Sequence, residues 1–165
     1  MNKHLYSLVL IACLCCSACL QNKEQTTLDF LQAKGWVNDF EKILTEKEEK
    51  ELEFIIEQFE QQTQIEIAIV TLDSTLTTKS GFDDYTLDLA NSWGVGKKES
   101  NKGVLIGFSS SLRIIRIHNG TGIEEVISDA ETKEVIDKHF IPYFKKDEYF
   151  KGLFEGTKEL MKRLE

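Results

Sequence analysis

Ile65, Ile67 and Ile69 alternate with Glu66, Ala68 and Val70 and run on to Leu72. The period of two predicts a strand over 65–72, with both faces at least partly buried toward its end. Just upstream, Leu52, Ile55, Ile56 and Phe59 recur at helical spacing behind a Thr45–Glu48 capping box, which predicts a helix over 46–62. Phe82, Tyr85, Leu89, Ala90 and Trp93 fall on one face of a second helix, and Gly94 supplies its stop. Residues 103–108 form an apolar run, followed by Ser109, Ser110 and Ser111 and then by 112–118, where Arg113 and Arg116 punctuate three isoleucines. Two strands across so short a turn predict an antiparallel hairpin. A further helix begins near Asp129 and is expected to kink or break at Pro142. The last helix carries Phe150, Leu153, Phe154, Leu160, Met161 and Leu164 on one face.

The order is helix, strand, helix, strand, strand, helix, helix. A strand–helix–strand unit favours parallel pairing with a right-handed crossover. The expected fold is therefore α/β: a three-layer α/β/α sandwich with a small mixed sheet.

The beginning of the chain follows different rules. Lys3 and His4 precede an apolar run starting at Leu5, and all four cysteines, Cys13, Cys15, Cys16 and Cys19, lie in the first 19 residues. A basic start, about ten apolar residues and then small ones make an export signal. The run is too short to cross a bilayer, which takes about 20 residues. Ser17-Ala18-Cys19 fits a lipoprotein cleavage box, with Cys13 as the weaker alternative. The expected division is a signal over 1–18, lipidation at Cys19, a polar tether over 19–35 and one domain over 36–165. That domain is placed in a bacterial cell envelope, extracytoplasmic and held to the membrane by the lipid. It has no cysteine, so no disulfide framework and no thiolate metal site belongs to it.

Charge sharpens the picture. The formal net charge is −8, and −9 without residues 1–18, which carry Lys3 and no acid. An acidic domain repels phosphate backbones, so nucleic acid is excluded as a partner and a divalent cation fits better.

The motifs Val37-Asn38-Asp39-Phe40 and Leu44-Thr45, then Trp93-Gly94-Val95-Gly96, Gly103-Val104-Leu105, Arg113 with Arg116, Gly120-Thr121-Gly122-Ile123-Glu124 and Ser128-Asp129-Ala130 occur in this order over 36–162. In order and spacing they resemble the TPM domain family. The resemblance implies an α/β/α sandwich, an exported or membrane-anchored setting and, in some members, binding of divalent cations such as calcium. Plant thylakoid relatives are associated with photosystem repair and an acid-phosphatase activity. The chain departs from the family pattern in the loop before Gly103, where Asn101 and Lys102 stand in the places of an acid and an Asn, and Thr121 replaces an aromatic.

Candidate ligands for a cation are Asp39, Asp83, Asp84, Glu99, Glu124 and Asp129, with Ca²⁺ the expected ion and Mg²⁺ or Mn²⁺ the alternatives. Each has a plainer role. Asp83 and Asp84 suit the first turn of a helix, where acids oppose the dipole. Asp129 follows a Ser128–Glu131 capping box. Asn38 and Asp39 suit a side-chain turn. Glu124 and Glu125 follow glycines that permit close approach or positive φ. Glu99 stands in for the missing acid at 101. The three histidines form no motif, and no Gly-x-Ser-x-Gly elbow or phosphate-binding Gly-rich loop occurs. Arg113 and Arg116 point to opposite faces of a strand and make no single clamp.

Three functions follow. The first is a non-catalytic, membrane-anchored, monomeric module that binds a cation and serves the maintenance or assembly of a membrane-protein partner. The second is a metal-assisted acid phosphatase, which needs Asp39, Asp83, Asp84 and Asp129 to converge. The third is a structural envelope protein without a ligand.

Overall fold

The structure, a computed structural model, describes residues 31–96 and 101–165. Its elements run β1 (Val37–Asp39), α1 (Glu46–Thr63), β2 (Glu66–Thr71), α2 (Phe82–Trp93), β3 (Gly103–Ser109), β4 (Ile114–Asn119), α3 (Thr121–Glu124), α4 (Asp129–Val135), a π-helical segment (Ile136–Phe140), α5 (Ile141–Phe144) and α6 (Tyr149–Leu164). The export signal and Cys19 lie outside the described residues. Among the described residues no helix is long and apolar enough to cross a membrane.

The strands form one sheet in the order β1-β2-β3-β4. β1, β2 and β3 are parallel, and β3 and β4 are antiparallel, with Val37 opposite Ile69, Glu66 opposite Gly103 and Val104 opposite Asn119. Every residue of β2 and β3 is buried, as expected for a sheet covered on both faces. One face carries Ile67, Ile69, Val104 and Ile106 and packs against α1 and the helices from α3 to α6. The other carries Ala68, Val70 and Leu105 and packs against Phe82 and Leu89 of α2. This is the α/β/α sandwich that the sequence pattern predicts.

The crossovers are less orthodox. β1, β2 and β3 lie side by side in chain order, so both connections step in the same direction across the sheet. One passes over the α1 face and the other over the α2 face. Two such steps have opposite hands, so one of them breaks the right-handed rule. The chain leaves the carboxyl ends of β1 and β2 toward opposite faces, which is the condition for a crevice at a strand switch point.

α1 opens as its sequence dictates. The Thr45 hydroxyl accepts from the Glu48 amide at 3.3 Å, and the Glu48 carboxylate accepts from the Thr45 amide at 2.8 Å. Thr45→Ala is expected to cost about 1 kcal/mol in urea unfolding, the ordinary worth of such a cap. A change below about 0.3 kcal/mol would show that packing alone holds the helix start.

Pro142 produces the expected break. It occupies the first turn of α5, immediately after the π-helical segment, so α4, that segment and α5 form one interrupted rod. Two glycines of α6 receive the aromatic rings of that rod. A Cβ on Gly156 would lie 2.4 Å from the Phe140 ring, and one on Gly152 would lie 2.5 Å from the Phe144 ring.

Candidate functional site

Three chain segments meet where β3 begins and β4 ends. The Glu66 carboxylate, on a residue only 7% exposed, accepts from the Gly96 amide at 2.7 Å. Gly96 sits at φ +75°. A Cβ there would lie 2.2 Å from the Gly103 nitrogen, one on Gly103 would lie 2.5 Å from the Val95 carbonyl, and one on Gly120 would lie 2.2 Å from the Asn101 oxygen. Backbone bonds lock the same contacts, since Gly120 donates to the Gly103 carbonyl at 2.8 Å and Gly122 to the Asn101 carbonyl at 3.2 Å. The glycines before, within and after the hairpin are thus parts of one packing knot. Gly120 serves it by close approach rather than by positive φ, its own φ being −67°.

Beside the knot lies a cleft of about 270 Å³, lined by Leu87, Asn101, His118, Asn119 and Thr121 among others. Its polar side chains, Asn91, Asn101, His118, Asn119 and Thr121, include no carboxylate, lysine or arginine. Asn119 donates through Nδ2 to the Thr132 hydroxyl of α4 at 2.9 Å, while its buried Oδ1 receives no donor from the described residues. A buried acceptor without a partner costs about 1–3 kcal/mol, so it marks a place where the fold leaves something unmet.

His118 forms the cleft's other wall. Its Nε2 lies 2.8 Å from the Thr86 hydroxyl. The Thr86 hydroxyl also reaches the Phe82 carbonyl at 2.8 Å and the Asp83 carbonyl at 3.1 Å, so which side donates across the contact follows the imidazole tautomer. Burial pushes the imidazole below its usual range, with Asp83 opposing that shift and Arg116 adding to it. His118 is therefore neutral at neutral pH. Thr86 is completely buried and its hydroxyl is met by carbonyls of its own helix, so the pair reads as a packing contact between α2 and β4.

The acids singled out from sequence are spread over the fold. Asp83 and Asp84 occupy the exposed first turn of α2, and Asp83 pairs with Arg116 at 2.9 Å. Arg113 is apart from this pair, in the turn before β4 at φ +52°. Asp129 lies in the first turn of α4, behind the Ser128–Glu131 capping box. Glu124 ends the one-turn helix α3, three residues beyond Thr121 of the cleft. Glu99 lies outside the described residues, two positions before Asn101. Asp39 stands at the far end of the sheet, where it pairs with Thr71, five residues along β2 from the strand's cleft end at Glu66. At about 3.3 Å per residue that is about 17 Å away. There its carboxylate accepts from the Leu44 amide at 2.8 Å and from the Thr71 hydroxyl.

Glu41, which the sequence pattern did not single out, closes the same end by accepting from the amides of Ser110 and Ser111, both at 2.8 Å. The crevice at the strand switch point is thus filled by the chain's own groups. Asn38 makes the expected side-chain turn, accepting from Lys34 at 2.7 Å and donating to Gly35 at 2.9 Å, although its segment is a strand. Among the described residues no three His, Cys, Asp or Glu side chains gather as a metal-binding group. Asn119 was missed because an amide on an edge strand has no sequence signature. The flanking Gly103 and Gly120 were its one signal.

Residues 37–163 match the family model described as TPM domain. The N-terminal domain of a protein from P. gingivalis, solved in solution, is similar over 78% of this chain and 81% of its own, with 29% identity and a TM-score of 0.70. The BA42 protein from the psychrophilic bacterium Bizionia argentinensis is 25% identical over 76% of this chain and 83% of its own, with a TM-score of 0.63. The N-terminal domain of cg2496 from Corynebacterium glutamicum, at 12% identity over 81% of this chain and 82% of its own and a TM-score of 0.60, shares the fold. No curated protein matches the chain.

Proposed function

Because this chain belongs to the TPM domain family, we propose that it is an envelope-tethered binding module that holds a divalent cation, Ca²⁺ before Mg²⁺ or Mn²⁺, at the cleft beside its glycine knot. The observation that carries this reading is Asn119, a lining residue of the cleft whose buried Oδ1 has no partner among the described residues, with Asn101 and Thr121 lining the same cleft. Hard cations such as Ca²⁺ take six to eight oxygens, and amide and hydroxyl oxygens qualify. Asn101, Asn119 and Thr121 supply the neutral donors, and Glu99 and Glu124 the charge. A bound ion adds positive charge to an acidic domain, giving a docking surface for a membrane-protein partner. Lipid attachment at Cys19 keeps that surface at the membrane. The acid-phosphatase alternative has less support, because the acids it requires lie on β1, α2 and α4.

Calcium titration followed by amide NMR tests the reading. Saturable shifts are expected at Asn101, Asn119, Thr121 and Glu124, with a Kd of about 10⁻⁴–10⁻³ M, the range of extracellular modules. At ten times Kd the ion is expected to stabilise the fold by about 1.4 kcal/mol. Asn119→Ala should weaken binding at least about fivefold and Asp39→Asn should leave it unchanged. Flat spectra at high millimolar Ca²⁺, Mg²⁺ and Mn²⁺, or shifts centred on Asp39, would overturn it.

A further inference from the structure

A second cavity, of about 260 Å³, opens between the β3–β4 turn and the α5–α6 corner. Its wall is aromatic. The Phe108 and Phe144 rings stack at 4.1 Å between centroids, and Tyr149 lies 5.6 Å from Phe108. Ile115 and Ile141 extend the apolar lining, while Arg113 and Lys145 stand at its margin. Both cations are exposed, and among the described residues neither has a carboxylate within ion-pair distance. Two positive charges thus stand together at one apolar mouth. The cavity's one acid, Asp147, is engaged, since its carboxylate accepts from the Tyr149 hydroxyl at 2.7 Å.

The backbone around this cavity is held in uncommon conformations. Arg113 has φ +52° and Asp147 φ +57°, a region that few non-glycine residues enter. The π-helical segment Ile136–Phe140 ends directly before Ile141 of the lining. Gly152 lets the Phe144 ring seat against α6, where a Cβ would collide with it. Positive φ at non-glycine residues and single π turns both concentrate where a fold shapes a binding surface. Here three such features surround one cavity, and packing fixes its aromatic wall.

We infer that this cavity binds a small carboxylic acid with a flat or short-chain apolar body, the body lying against Phe108, Phe144 and Tyr149 and the carboxylate held by Arg113 with Lys145 beside it. Size supports the class, because an apolar cavity of about 150 Å³ takes a benzene, so this one takes an arylacetate or a short-chain acid. A guanidinium recognises a carboxylate through two parallel bonds, and apolar lining with a few placed charges is the usual make-up of a ligand site. The site shares no lining residue with the cation cleft, so either can fail alone.

The test uses the full chain in a mild detergent with EDTA present. The probes are 4-fluorophenylacetate and its uncharged amide, followed by ¹⁹F NMR. Saturable binding of the acid is expected at submillimolar concentration, at least about tenfold tighter than the amide. Arg113→Asn keeps a residue that tolerates positive φ, and combined with Lys145→Gln it should weaken the acid at least tenfold and leave the amide unaltered. Equal affinity for acid and amide, an unchanged affinity in the double variant, or no saturation by 10 mM would overturn the proposal.

Discussion

Gly103→Ala is expected to abolish the cooperative fold. The new methyl would meet the Val95 carbonyl carbon and oxygen at 2.5 Å and the Gly96 nitrogen at 2.6 Å. These are main-chain atoms, and neither side is free to retreat. Val95 is held through its amide by the Ala90 carbonyl at 3.1 Å, and Gly96 by the buried carboxylate of Glu66. Gly103 itself is tied to β4 through Gly120 and to β2 through the Glu66 register. Overpacking ordinarily costs about 1–3 kcal/mol, and more where nothing yields. A cost above about 3 kcal/mol is a large part of the 5–15 kcal/mol that holds a domain together. Gly35→Ala is the matched control. Its methyl would also come within 2.5 Å of an atom, but that atom is the end of the Glu53 side chain, which can swing away. Soluble yield and urea unfolding of the two variants check the argument. A Gly103→Ala protein within 1 kcal/mol of the parent would show that the three segments of the knot can part.

Phe140→Ala is expected to cost about 3–5 kcal/mol, the range for deleting a buried aromatic ring. Phe140 is wholly buried and ends the π-helical segment. Its ring fills the notch that Gly156 leaves in α6, so the two positions should couple. Gly156→Ala alone adds a methyl against the ring and should destabilise, although alanine favours a helix by about 1 kcal/mol. In the Phe140→Ala background the ring is gone, and the same substitution should stabilise. That change of sign, read from urea midpoints in a double-mutant cycle, separates a specific ring-in-notch contact from general loss of apolar area. Equal effects of Gly156→Ala in both backgrounds would refute it.

Elements that bury a periodic face were legible in the sequence. The helix predicted over 46–62 is α1 at Glu46–Thr63, and the strand predicted over 65–72 is β2 at Glu66–Thr71. β1 escaped notice because Val37–Asp39 is too short to display alternation, and its partner Ile69 lies 32 positions further on. The hairpin turn is longer than expected, since β4 starts at Ile114 after Arg113 bends into positive φ. The opposite hands of the two crossovers follow from which face each helix covers, a tertiary choice that neither periodicity nor turn chemistry encodes. The candidate sites were legible only in part. Acids are conspicuous in a sequence, and the helix-start acids among them turned out to occupy first turns. The proposed cation cleft draws instead on amide and hydroxyl side chains, Asn101 of the α2–β3 connection, Asn119 of β4 and Thr121 of α3, which the glycine knot brings together. The carboxylate cavity rests on two cations 32 positions apart and on rings from β3, α5 and α6.

The register of the sheet also sets an order of assembly. The β3–β4 pairing closes the shortest loop, with Ser109 opposite Ile114 only five positions on. The β2–β3 pairing spans 37 positions from Glu66 to Gly103, and β1 must find β2 across the whole of α1. Loop-closure entropy therefore favours the hairpin as the earliest native contact, while the two parallel pairings, 32 and 37 positions apart, close at nearly equal cost, and β1 joins last because it offers three register positions where β2 and β3 share six. The same ranking read backwards makes β1 the segment that detaches at the lowest free energy while the glycine knot stays closed. Breathing at the Asp39 edge can then expose the backbone of β2 to pairing with another chain without unfolding the domain.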